Sequence, residues 1–242
     1  MDDFKKMCRL KKDELVSQLI FLLISGYIAG FILEFLMLNN GKTAQNYFSI
    51  TFAMEMSVYF LFESLGDGLC STAKSFNLTV SMGMTRKGFL KASVMIMILK
   101  NVIVVAASYL LTYIDIIIVK NIMPELSYDR MENFLRSSWI FVIFVGMLAW
   151  ELLFMIAGIF TLKYEKKAYI AGYIAGMIMY FTFVRTIPDS SDDKTTLLWT
   201  FGLWLKNVSG AAAPLIWTGI LLVLSVVLYM INYKIIMRQQ VA

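Results

Sequence analysis

The sequence predicts an all-α, polytopic membrane protein, and three observations carry that prediction. Of the 242 residues 59% are hydrophobic and only 16% charged, with a mean hydropathy of +0.71, well outside soluble globular composition. The apolar residues gather into six runs, at 15–38, 47–70, 92–114, 139–162, 168–187 and 214–233, each near the ~20 residues that a helical span requires. Lys and Arg alternate unequally between the connections. With the N-terminus inside, the inner set holds fourteen, while the outer set holds only Lys42, Lys120, Arg130, Arg136, Lys194 and Lys206. That bias places both termini in the cytoplasm and accounts for the net charge of +5 without a nucleic-acid partner. The six runs fill more than half of the chain, so residues 1–242 are expected to form one transmembrane domain.

Residues 1–14, MDDFKKMCRLKKDE, set Phe4, Met7, Cys8 and Leu10 among cations. This is the pattern of an interfacial helix on the inner membrane surface, although a solvated basic tail fits the same residues. The first run is too long for a signal-peptide core and lacks a small-residue cleavage site, so it is expected to stay in the product. Cys8 and Cys70 would face a reducing compartment as free thiols. Gly41-Lys42-Thr43 in the first outer loop lacks the earlier glycine of a phosphate loop, because Leu36 stands in its place. The loop 115–138 is outer and too small for a folded ligand-binding domain. Residues 197–208 are apolar and aromatic, but twelve residues reach only ~18 Å as helix. They are expected to dip into the outer leaflet and return before the sixth run. Gly26 and Gly30, and Gly172 and Gly176, offer close-packing faces of the kind that also recur by chance in membrane helices.

The chain has no histidine and only two cysteines. That removes imidazole metal sites, thiolate clusters and His-based acid–base pairs. No catalytic, metal or cofactor residue is therefore assigned, and any energy source is expected in another chain. Glu55, Glu63, Lys100 and Glu151 fall inside apolar runs, where charge is costly enough to mark function. Counted from the inner run ends, Glu63 and Lys100 share a depth and can pair, either as a structural tie or as part of a path. Glu151 has no partner at its own depth by this count, which makes it the stronger pathway residue.

The stretch FNLTVSMGMTRKGFLKAS, residues 76–93, breaks the apolar pattern between the second and third runs. Phe76, Leu78 and Val80 can seat it, while Ser81, Gly83, Thr85, Arg86 and Lys87 form a small cationic knob suited to an acidic socket. A solvated loop that only sets topology fits the same composition. The phrase SMGMTRKGFLKA resembles a segment of ABC-2 type ABC transporter permeases, in which a Leu/Ser-x-Gly-x-Thr-Arg-x-x-Phe pattern follows the second span. The six-run layout, the basic N-terminal segment and the short apolar segment before the last run are also similar to that family. The resemblance implies a coupling helix near 76–89, with Phe76, Ser81, Gly83, Thr85, Arg86, Lys87 and Phe89 docking on a separate ABC ATPase subunit that binds ATP-Mg. It also implies a second permease, identical or not, and export of an amphipathic cargo such as a peptide, antibiotic or lipid across a bacterial plasma membrane. Two other classes remain open: an ion-coupled secondary transporter or channel working through the intramembrane acids, and a non-transporting immunity or sensor protein.

Overall fold

In the computed structural model, which describes residues 2–39, 59, 72–122, 138–164, 170 and 212–238, every regular element is a helix and no strand occurs among these residues. The described helices are α1 (Asp2–Asn39), α2 (Thr72–Ser81), α3 (Arg86–Ile122), α4 (Trp139–Tyr164) and α5 (Ala213–Arg238). Three of them, α3, α4 and α5, are long and apolar enough to cross a membrane, which is consistent with a membrane protein. α4 and α5 have 26 residues each, or about 39 Å, against a ~30 Å hydrocarbon core. Their outward side chains suit lipid. Leu215, Val223, Val226 and Met230 on α5 are half exposed or more, and a helix that is apolar on all sides has no water-facing side. Pro214 stands in the first turn of α5, where its missing N–H leaves no bond unmade.

The helices outrun the apolar stretches that mark them. α3 begins at Arg86 and continues to Ile122, so Asp115 lies inside the helix and is fully buried, not in an outer loop. Hydropathy reports where lipid begins; a helix carrying Arg86, Lys87 and Lys91 continues past that point with its hydrogen bonds intact. α1 likewise runs unbroken for 38 residues, with no division between a surface segment and a span. The runs at 47–70 and 168–187, the segment 197–208, and Glu55, Glu63 and Cys70 lie outside the described residues, apart from Tyr59 and Ile170.

The largest apolar cluster lies at one end of the bundle. Met7 of α1, Phe76 of α2, Met84 in the turn, Phe89 and Leu90 of α3, Ile159 of α4 and Ile236 of α5 meet there, all almost fully buried. The N-terminal arm therefore packs its apolar face on protein, through Met7 with Phe4 and Cys8 beside it. The same cluster fixes helix direction. α1 and α3 begin at this end, whereas α4 and α5 finish at it. α4 and α5 are thus parallel, and their contact is the most extensive in the described structure. Asn232 of α5, fully buried, donates through Nδ2 to the carbonyl of Leu152 on α4 at 2.9 Å and ties the pair together.

Candidate functional site

The cationic stretch folds as a tight helical hairpin and not as one helix across 76–89. α2 stops at Ser81, and Gly83 takes a left-handed φ of 79°. The Gly83 N–H bonds to the Val80 carbonyl at 3.0 Å and the Met84 N–H to the Thr79 carbonyl at 3.0 Å. These two bonds, closed over a buried Met84, form a Schellman helix stop. α3 then starts under a cap, because Thr85 Oγ1 accepts the Gly88 N–H at 3.0 Å. A Cβ on Gly88 would meet the Asp3 carboxylate of the N-terminal arm, which would have to give way. That carboxylate also suits the positive end of α3.

This geometry sorts the predicted docking residues. Phe76 and Phe89 are buried and meet edge to face, with ring centroids 5.2 Å apart; they brace the hairpin and cannot touch a partner. Gly83 and Thr85 are exposed, yet each is accounted for by the stop and the cap. Arg86 is half-buried and donates through Nη1 to the carbonyl of Met237 at 3.0 Å, in the last turn of α5. The expectation that it reaches outward is corrected by that bond: the open carbonyls of a helix end attract a cation. Ser81 and Lys87 are exposed as expected. Met82, 55% exposed at the tip, was not singled out in the sequence because an apolar residue in an apolar chain gives no signal.

A second site lies deeper in the bundle. Lys100 Nζ of α3 stands 3.2 Å from Glu151 Oε1 of α4, and both side chains are at most 5% exposed. Asn101 Nδ2 donates to Glu151 Oε2 at 2.9 Å. The Tyr59 hydroxyl lies 2.7 Å from Glu151 Oε1 and 2.5 Å from Asn101 Oδ1. The Lys100 ammonium is 5.9 Å from the centroid of the Tyr59 ring, within cation–π range. Glu151 therefore has close partners, contrary to the depth count. That count ran from the apolar boundaries, whereas Lys100 is 14 residues after Arg86 and Glu151 is 13 before Tyr164, so the true helix ends put them level. Glu63, the expected partner of Lys100, lies outside the described residues.

Asn101 and Tyr59 were missed, and so was a longer pattern. Along α3, Ser93, Lys100, Asn101, Ser108, Thr112 and Asp115 are all buried, while Ile98, Val102, Leu110 and Ile117 face outward. Steps of seven link Ser93 to Lys100, and Asn101 to Ser108 to Asp115, so polar side chains recur on the buried face of the helix, between Ile96, Val104 and Val105, over about 33 Å. That spacing was available in the sequence, hidden because hydroxyls and amides carry no charge to mark them in an apolar run. Thr112 satisfies its hydroxyl on the Ser108 carbonyl at 2.7 Å, while the Ser108 hydroxyl has no hydrogen-bond partner among the described residues. No group of acids and cysteines able to hold a metal ion occurs among the described residues. Cys8, at the arm, has its thiol pKa pushed up by burial, which lowers its thiolate fraction.

No family model matches the chain, and no curated protein or solved structure matches it.

Proposed function

We propose that the chain is the permease subunit of an ATP-driven exporter of the ABC-2 type, coupled to a separate ATPase through the tip of the α2–α3 hairpin. The observation that carries this reading is the tip itself. Ser81, Met82, Gly83, Thr85 and Lys87 are exposed on a turn whose base is braced by Phe76 and Phe89 and tied to α5 by Arg86. An exposed apolar Met82 on a hairpin that also exposes Lys74, Lys87 and Lys91 suits an acidic groove with an apolar floor. A stiff knob transmits displacement where a soft loop would absorb it. ATP-driven closure of the partner then biases the bundle between two packings with different affinity for an amphipathic cargo.

Six crossings follow in this reading from helix direction. α4 and α5 are parallel, and two parallel crossings need a return between them; residues 168–187 supply it, and 197–208 then dips without crossing. α1 and α3 start at the same end, and 47–70 provides their return. The positive-inside bias puts the hairpin and both termini in the cytoplasm of a bacterial cell, and a second permease, the same chain or a relative, completes the assembly.

Affinity purification of the tagged chain from its own membranes, followed by vanadate-sensitive ATP hydrolysis, tests the reading. Met82→Glu combined with Lys87→Glu should remove the co-eluting ATPase while leaving the yield of the chain intact, since both side chains point outward. Full ATPase retention by that variant refutes docking at the tip.

A second reading, an ion-coupled transporter or channel, is favoured by the polar face of α3 and the Lys100–Glu151 pair. It predicts cargo movement in ATP-depleted vesicles under an imposed ion gradient, where the first reading predicts none.

A further inference from the structure

A cavity of about 30 Å³ lies between the N-terminal arm and the Lys100–Glu151 pair. A water molecule needs roughly 10–15 Å³ on this measure, so there is room for one or two. Six polar side chains from four helices converge on the space: Lys11, Thr72, Ser75, Ser93, Lys100 and Glu151. None of them is more than 9% exposed. Cavities lined by apolar groups stay dry, and cavities whose walls offer several donors and acceptors fill. Three hydroxyls from two helices, two ammonium groups and a carboxylate, set among Met7, Phe89, Ile96, Met97 and Met155, put this space in the second kind.

We propose that this space is a water-filled chamber reaching from Lys11 inward to the ion pair, and that the Tyr59–Asn101–Glu151 contacts are its closed inner end. The ion pair is then wet on the side of the N-terminal arm and sealed on the other. Hydration from one side lowers the desolvation cost of two buried charges and opens Lys100 and Glu151 to solvent from the end of the bundle that holds the hairpin. Beyond the seal the polar face of α3 continues through Ser108, Thr112 and Asp115, none of which lines the chamber. The inference is independent of the ATPase reading and holds for either kind of transporter.

Two methionines on α4 make the proposal testable. Met155 lines the chamber and is 1% exposed; Met147, two turns earlier, is 0% exposed and does not line it. A brief X-ray pulse on the full chain in nanodiscs splits water into hydroxyl radicals that attack only what they touch. The radical adds to the thioether sulfur, and dissolved dioxygen then removes a hydrogen atom from the adduct, leaving the sulfoxide and a hydroperoxyl radical. Peptide mass spectrometry should show Met155 oxidised several-fold faster than Met147. Ser93→Val, which replaces a polar wall with methyl groups, should bring Met155 down to the rate of Met147. Equal slow oxidation of the two in the unmodified chain overturns the proposal, and so does a folded Ser93→Val variant whose Met155 still reacts quickly. Should Ser93→Val fail to fold, Thr72→Val, which puts a methyl group where the hydroxyl stood, provides the same comparison from the α2 wall.

Discussion

Glu151 lies within bonding distance of an ammonium, an amide and a phenol, and these partners are what let a carboxylate sit 3% exposed in an apolar helix. Its removal is expected to cost more than the loss of one contact, because Lys100 keeps its charge. Glu151→Ala should lower stability by about 3–5 kcal/mol, the usual penalty for breaking a buried pair from one side. Lys100→Met combined with Glu151→Leu should lose less than either single charge removal, since apolar side chains of similar volume need no partner. Unfolding of the purified variants in mixed micelles measures both; strictly additive losses would show that the pair is not coupled. The sequence exposed the two charges because hydropathy penalises them heavily. It hid Asn101, Tyr59 and Asn232, since an amide or phenol carries no charge to mark it within a long apolar run.

The α2–α3 hairpin shows how a local signal can be read for its residues and missed for its geometry. Ser-Met-Gly-Met-Thr is a helix stop followed by a helix start: glycine supplies the left-handed position and threonine the cap. The resemblance drew Gly83 and Thr85 toward a partner, although each already has an internal duty. Nothing lies within 4 Å of a Cβ placed on Gly83, so substitution there is a matter of backbone strain alone. Gly83→Ala should cost about 1–2 kcal/mol, and Gly83→Asn less, because asparagine tolerates the left-handed region. Stability that is equal in all three proteins would show that the turn does not hold this conformation. The ends of α3 were illegible for a different reason. Arg86, Lys87 and Lys91 mark the edge of the lipid, and the helix passes through that edge without a break.

Across the molecule, the arm, the hairpin and the last turn of α5 gather at one end of the described bundle. Arg86 is the bolt between hairpin and α5. Arg86→Met keeps much of the packing and removes the donor, and limited trypsin digestion in detergent should then cut faster after Lys87 than in the unmodified chain; an unchanged rate would mean that the bond does not hold the hairpin down. That bolt also has a history. Its two residues are 151 positions apart. At about 5–20 residues per second, Arg86 is added to the chain roughly 8–30 s before its acceptor. During that interval the hairpin is a newborn structure without its clasp, its guanidinium served by water or lipid headgroups. Only when synthesis has passed Met237 can the hairpin take the fastened form described above. A chain interrupted before that residue would carry an unfastened knob.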